Sequence, residues 1–545
     1  MTPTGRARPD ARSLLAVLAI ITLAILAHGL RLADAPLKGE ETRRGRFASE
    51  ILSSGDWIVT TQQKHIWVDR PPLQYWLIAI SYSLLGESDV HALRLPSLLA
   101  STLAALLAFW TARRLRGDLA GLLAGAMLLS MGLMLDLGAR AETDAIFTAL
   151  LSASLLTWLH GYRTGMSQWT TWILAGALAG LATLAKGTQG PITFLGTVWL
   201  FLLFRRDWRW LLSPAHAAGL LAFAGVYAAW FVPLVADLGW SAAHAAMVGP
   251  TTERFNAPWW QYIKHASLYA PEVLIGMLPW SPLLFLYALP RFRRTLADAA
   301  PDLAFLFLAI LILFIPNWIV PWARGRYFLP AYPLAAILCA IAAAPVLVAA
   351  GSDPRRRLWF HFARAGGIVG AVVAVGLLAL WVFSLADSSR LPWFPSLLVI
   401  LPLSVLFALA AAAFLRARHE PANAWPACLA MAFALAGLHA GVIVHAYHRT
   451  GVDLRAQVLA IRDSLPPDAH LQSLGLVNHR FTFWFERPIE RLEPTALPDL
   501  FFCFDHRVGE PITFPFPWEE LAAAGMDVYD PDSTWRVVVA RRLSP

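Results

Sequence analysis

A polytopic helical membrane protein with a small mixed α/β domain at its C-terminal end is the fold class this sequence predicts, on three observations. Of 545 residues, 57% are hydrophobic and only 15% charged, where soluble domains carry about 25% charged residues; mean hydropathy is +0.54. Apolar runs recur at about the length that spans a hydrocarbon core of roughly 30 Å. Beyond about residue 450 those runs stop and the composition turns mixed. A soluble enzyme and a disordered chain are thereby excluded. The net charge of +8 does not indicate a nucleic-acid partner, because arginine gathered in cytoplasmic loops produces the same excess.

Taken in order, the apolar runs predict about thirteen crossings, near 13–30, 92–111, 119–137, 145–160, 170–185, 190–204, 216–236, 272–289, 303–319, 328–349, 363–384, 395–415 and 426–446. The first has no small-residue cleavage site and reads as an anchored helix rather than a signal peptide. Orientation follows from the excess of Arg and Lys in short cytoplasmic loops. With the N-terminus inside, the Arg groups at 6–12, 113–116, 205–209, 291–294, 355–357 and 416–418 all fall on the cytoplasmic side. If 73–86 also crossed, every later group would face outward, so that stretch is placed as an interfacial or re-entrant helix on the outer side. Two outer segments are then long: the first loop, 31–91, and 237–271. The division is a transmembrane domain over 1–450 and a periplasmic domain over 451–545, an odd number of crossings putting the tail outside. Within the tail, LRAQVLAIRDSL reads as an amphipathic helix, and FTFWFE and WRVVVARRL as strands.

Ionisable residues at membrane depth are costly, so their placement is informative. Glu40, Glu41, Asp69, Arg70, Asp144, Glu253, Arg254, Arg326 and all four lysines (Lys38, Lys64, Lys186 and Lys264) fall outside or at the outer edge of a helix. One face thus mixes carboxylates with cations, and the other holds little but Arg. Each feature also has a structural explanation. Glu40 and Glu41 suit the acidic first turn of a helix bridged to Arg43 and Arg44; Asp144 suits a helix start; Asp69-Arg70-Pro71-Pro72 suits a rigid turn; Lys186 suits a snorkelling helix end. Cys339 and Cys428 lie in apolar runs and Cys503 stands alone, so no disulfide framework or zinc motif can be drawn.

The segments EETRRGRFASEILSSGDW (40–57), DRPPLQYW (69–76), AETDAIF (141–147), LAKGTQGP (184–191), ERF (253–255), LPWSPLL (278–284) and RYFLPAYPL (326–334) together resemble the lipid-linked-sugar glycosyltransferases related to protein O-mannosyltransferases and to the bacterial aminoarabinose (lipid A) transferase. Order, spacing and membrane side agree over about residues 10–450. The resemblance implies a GT-C fold in a bacterial inner membrane, with two short interfacial helices in the first outer loop and an active site at the outer surface. It also implies transfer of a sugar, with inversion, from a polyprenyl (undecaprenyl) phosphate carrier to an extracytoplasmic acceptor, lipid A or another envelope glycan.

The family opens that loop with an Asp-Glu pair whose Asp is catalytic. Here Glu40 holds that position, its carboxylate carried about 1.5 Å further by one added methylene. Asp144 is the second candidate carboxylate. Arg70 stands where relatives often have Lys and is the first candidate for the carrier phosphate, with Lys64, Lys186 and Arg326 as alternatives. Glu41, Arg43, Asp69 and Glu253 are supporting candidates, Glu41 orienting the loop through Arg43 or a backbone amide. Carboxylates and His65, His244 and His265 near the outer face leave room for a divalent metal, but no ligand spacing predicts one. The competing expectations are a protein O-glycosyltransferase of the same fold, a secondary transporter with ionisable groups near the midplane, and a catalytically inactive relative.

Overall fold

The computed structural model describes residues 11–244, 253–346, 354–386, 391, 393–419, 424–451, 453–526 and 534–543, without the side chains of 253, 344–346 and 354–357. Arg6, Arg8 and the side chains of Arg355, Arg356 and Arg357 therefore lie outside the described residues. Among those described, nine helices are long and apolar enough to cross a bilayer. The pair Trp259–Gly276 and Ser281–Ala288, bent by 112°, makes a tenth if it is one span. The other expected crossings fall on helices that are shorter or richer in small and polar residues: α5 (Asp118–Ser130) with α6 (Gly132–Leu137), α8 (Gln168–Lys186) and α9 (Gln189–Arg205). The molecule is a multi-pass membrane protein.

Compactness divides the chain into two units, Met1–Leu32 with Ser97–His445, and Ala33–Pro96 with Ala446–Pro545. The linear division near residue 450 does not capture this, because residues 33–96, nearly all of the first long loop together with the start of the helix Val90–Arg116, pack with the tail.

The helical unit contains α1 (Ala11–Ala24), α5 to α9, most of α4 (Val90–Arg116), and α7 (Thr143–Thr164), followed by long helices out to residue 445. Its outward faces are apolar, as at Val369, Val372, Val375 and Leu398, which suits lipid rather than water. Inside, small residues set the spacing. A Cβ on Gly176 of α8 would lie 2.2 Å from the Gly219 carbonyl oxygen, and one on Gly180 would lie 2.9 Å from that of Phe223. The Gly-Ala-Leu-Ala-Gly stretch of α8 therefore lets the helix Pro214–Leu238 pack backbone against backbone, as small-xxx-small pairs do in membranes.

The mixed unit starts with the first loop: α2 (Glu41–Ser54), the short hairpin β1 (Thr61–Gln62) and β2 (His65–Ile66), and α3 (Leu73–Leu85). Helix α3 has 13 residues, about 20 Å at 1.5 Å per residue. That is short of a full crossing by a single straight helix. The tail adds the amphipathic helix Leu454–Ser464, capped by the Asp453 carboxylate, and a five-stranded sheet of order β4-β3-β5-β7-β6. In it β3 (Leu471–Leu474) runs parallel to β4 (Ile489–Leu492) and β5 (Phe501–Arg507), while β7 (Trp535–Arg542) is antiparallel to β5 and β6 (Trp518–Gly525). Strand β7 is the expected WRVVVARRL strand.

FTFWFE is not a strand. Residues His479–Phe485 form a helix whose N-terminus is capped by the Asn478 side chain, accepting from the Arg480 N–H at 3.0 Å. Aromatic residues favour strands only where a pleated surface receives them. Here Phe481, Phe483 and Phe485 are all buried, and the cap together with burial on every side selects the helix.

Candidate functional site

In the helical unit, Asp144 sits in the first turn of α7, where the helix dipole favours a carboxylate. Its side chain is fully buried, and Lys186 from the end of α8 donates to it. Arg326, in the 3-10 turn Gly325–Ala331, places one guanidinium nitrogen 2.7 Å from Asp144 Oδ2 and 2.9 Å from Glu142 Oε2. Two carboxylates and two cations thus neutralise one another in a buried place, which their desolvation requires. Lys186 also lies 4.9 Å from the centre of the Tyr327 ring, over which Arg254 stacks at 5.0 Å. The turn is fixed from both sides, Gln189 donating to the Tyr327 carbonyl at 3.0 Å and the Gly325 N–H donating to Glu272 Oε1 at 2.8 Å. Of the sequence candidates, Asp144, Lys186 and Arg326 are therefore brought together. The Glu253 side chain lies outside the described residues.

In the mixed unit the adjacent carboxylates Glu40 and Glu41 part company. Gly39 in the left-handed region turns the chain into α2, and Glu40 takes the N-cap position. Its carboxylate is 39% exposed and pairs with Arg43 at 2.6 Å, while Arg43 lies 5.2 Å from the Trp67 ring. Glu41 is completely buried. Arg94 donates to both of its oxygens, at 2.8 and 2.9 Å, and the Lys38 N–H donates to Oε2 at 2.9 Å.

The expected backbone amide is present, but the cation of Glu41 is Arg94 rather than Arg43, because residues two apart do not share a helix face. Arg94 also donates to the carbonyls of Ala35 and Pro36, tying the entry to the loop and the start of α4 to the α2 terminus. Nothing local in the sequence marks Arg94, which opens an apolar run 53 residues on. Glu41→Gln keeps the shape and removes the charge opposite Arg94. We expect a loss of roughly 2–3 kcal/mol, read as a lower unfolding temperature of the full chain, with Arg94→Met/Glu41→Met recovering part of it.

Asp69 and Arg70 lie at the start of α3, Arg70 Nε being 3.7 Å from Asp69 Oδ2 with both side chains about one-third exposed. This loose pair leaves the guanidinium available to an anion. Lys64 occupies the β1–β2 turn in the left-handed region, its side chain exposed. The Glu50 carboxylate holds that turn by accepting from the Thr61 hydroxyl and from the Gln63 and Lys64 N–H groups.

The tail grips the loop at three places. Gln63 donates to the Ser473 hydroxyl at 2.9 Å and accepts from the Val477 N–H at 3.1 Å. Thr42 Oγ1 and His479 Nδ1 lie 2.6 Å apart. Gly45 meets Phe483 so closely that a Cβ would sit 2.5 Å from the ring edge and 2.8 Å from the Tyr82 hydroxyl. Alanine normally stabilises a helix interior by about 1 kcal/mol over glycine. At Gly45 the sign inverts, and Gly45→Ala is expected to destabilise by about 1–3 kcal/mol through overpacking, measurable by thermal unfolding.

Burial, reinforced by the guanidinium groups of Arg43, Arg480 and Arg44, lowers the His479 imidazole from 6.5 to about 3. The unfolded chain takes up a proton near 6.5 that the folded chain refuses until about 3. Stability from this group is therefore complete above pH 6.5 and declines as pH falls toward 3. His479→Asn should flatten that part of the dependence, as the difference between wild-type and variant unfolding temperatures measured from pH 7 to 4 will show.

Among the described residues no three His, Cys, Asp or Glu side chains gather to hold a metal ion.

The helical architecture and the small C-terminal sheet domain define a GT-C membrane fold. The structure aligns over 96% of the chain and 97% of its counterpart with ArnT from Cupriavidus metallidurans bound to undecaprenyl phosphate, at TM-score 0.70 and 18% identity, and with the apo form of the same protein at 0.68. Residues 69–231 match the family model of dolichyl-phosphate-mannose-protein mannosyltransferase. In sequence the chain is 28% identical over 330 residues to the undecaprenyl phosphate-alpha-4-amino-4-deoxy-L-arabinose arabinosyl transferase of Pseudomonas aeruginosa strain UCBPP-PA14, covering 57% of this chain and 54% of that protein. A Sodalis glossinidius protein of the same description is 28% identical over 407 residues, 70% of this chain and 65% of that one. The chain thus matches about half the length of the first of these relatives. The resemblance to lipid-linked-sugar transferases read from the motifs holds at the level of fold and sequence similarity.

Proposed function

We propose that the protein is an inverting glycosyltransferase of the bacterial inner membrane. It moves a sugar from a polyprenyl phosphate carrier to an extracytoplasmic acceptor, lipid A or another envelope glycan. The observation that carries this reading is the divergence of the two adjacent carboxylates. Arg94 and a backbone amide engage the fully buried Glu41, whereas the Glu40 carboxylate, paired with Arg43, stays 39% exposed at the start of α2. One fixes the loop and the other keeps a face for chemistry. The curated relatives named for arabinosyl transfer support the reaction class.

In the reaction, the acceptor oxygen forms a bond to the anomeric carbon as the bond from that carbon to the carrier phosphate oxygen breaks, the electron pair leaving with the phosphate. A hydroxyl acceptor gives its proton to Glu40; a phosphate acceptor needs no base, and Glu40 then positions it or steadies developing positive charge on the sugar. The leaving phosphate needs a preorganised cation. Arg70, with its loose partner and bidentate fork, is assigned that role first, with Lys64, Lys186 and Arg326 as alternatives. Asp144 is assigned as the second carboxylate of the reaction, with Asp69, Arg43 and Glu253 supporting. The N-terminus is assigned to the cytoplasm and the tail to the periplasm, from the Arg distribution.

The experiment is transfer by the purified protein in nanodiscs with a panel of undecaprenyl-phosphate sugars, offering lipid A and envelope extracts as acceptors. Consumption of one donor with a matching product is expected, and that donor names the sugar. Intact donors across the whole panel would overturn the reading.

A further inference from the structure

The mixed unit contains a cavity of about 470 Å³ lined by none of the residues assigned to the reaction above, and its size falls in the range of small-molecule sites, about 300–1,000 Å³. Three arginines from three segments line it: Arg449 at the end of the helix Val444–Thr450, Arg455 in the first turn of Leu454–Ser464, and Arg480 in the helix that grips α2. Arg480 is steadied by donating to the Met526 carbonyl, and Arg455 lies 5.3 Å from the ring of the buried Trp484. Tyr447 adds a second ring to the wall. Asp34 and Asp453 line the cavity too, one oxygen of Asp453 already accepting from the Ala456 N–H at 2.9 Å.

Three guanidinium groups outnumber the two carboxylates of this lining, which leaves the cavity with an excess of positive charge, and guanidinium forks fit phosphate oxygens in pairs. The ring faces give an apolar wall for the C–H face of a sugar, and the Asp453 carboxylate can accept from its hydroxyls or an amino group. We propose that this cavity is a binding site for a phosphorylated sugar, with Arg449, Arg455 and Arg480 on the phosphate and Trp484 against the ring. Its use in recognising a phosphate-bearing acceptor rests on the transferase reading; the binding itself does not.

The test is equilibrium binding of radiolabelled glucosamine 1-phosphate to the full chain in nanodiscs. Wild type is compared with Arg449→Ala/Arg455→Ala, two exposed side chains whose loss should leave the unfolding temperature unchanged. We expect saturable binding that weakens at least tenfold in the double variant, falls with added salt, is displaced by excess inorganic phosphate and ignores glucosamine, which carries no phosphate. Should the double variant not fold, Arg449→Gln alone carries the comparison, with a smaller loss in the same direction.

Equal binding by wild type and variant, no binding by wild type, or equal displacement by glucosamine would overturn the site. Discs containing lipid A distinguish the source. Blockade of the labelled ligand assigns the site to a lipid headgroup, and its absence to a free sugar phosphate. Donor turnover is not read in this assay, so its outcome stands whether or not the transferase reading does.

Discussion

Glu40→Gln is expected to leave the protein folded and to lower sugar transfer by about 10²–10⁴-fold, the range for loss of a positioned general acid or base. The fold should not suffer because Glu40 is 39% exposed and water screens its pairing with Arg43, a pair worth about 0–1 kcal/mol. Glu40→Asp restores the charge on a shorter arm. Since a misplacement of about 1 Å can cost about 10² in rate, it should recover only part of the activity. Initial rates with a saturating carrier sugar, alongside unfolding temperatures, check both halves. If Glu40→Gln turned over at the wild-type rate, the catalytic role would pass from Glu40 to Asp144.

Asp144→Asn is expected to have the largest effect on stability. Its carboxylate is fully buried between Lys186 and Arg326, which are 11% and 21% exposed. Removing one charge leaves a cationic excess in a place with little water, and breaking such a buried pair costs about 3–5 kcal/mol. The same change unfastens the start of α7 from the end of α8 and from the Arg326 turn. Thermal unfolding in lipid nanodiscs measures the loss. Asp144→Asn/Lys186→Gln removes one charge of each sign and should recover part of it, with a coupling of about 0.5–3 kcal/mol. An unchanged unfolding temperature in the single variant would mean that the cluster does not hold these elements together.

What the sequence made legible was local. Apolar run length located the helical segments, and loop motifs singled out Glu40, Arg70, Asp144, Lys186 and Arg326 as candidates, of which Asp144, Lys186 and Arg326 meet in the folded chain. The amphipathic period of 454–464 and the β-branched run of 535–542 gave their elements correctly. Contacts between distant residues were not legible. Arg94 meets Glu41 across 53 residues, Gln63 meets Ser473 across 410, and the helix at 479–485 depends on burial that its own aromatic composition does not express. Arg254 was noted on the outer face, but its stacking on the ring that Lys186 also approaches could not be read from spacing. Periodicity reports which face of an element is apolar; it is silent about what covers that face.

The mixed unit joins residues 33–96 to 446–545, which has a consequence for how the protein is made. The first loop leaves the ribosome early, yet Ser473, His479 and Phe483, the partners of Gln63, Thr42 and Gly45, are synthesised 410, 437 and 438 residues after them. Helix α2 with Glu40 at its head therefore waits, its seat unmade, through the insertion of every later hydrophobic segment. Synthesis of the tail and maturation of the first loop thus become a single late event, and a product stopping near residue 450 would carry the membrane helices without a finished loop.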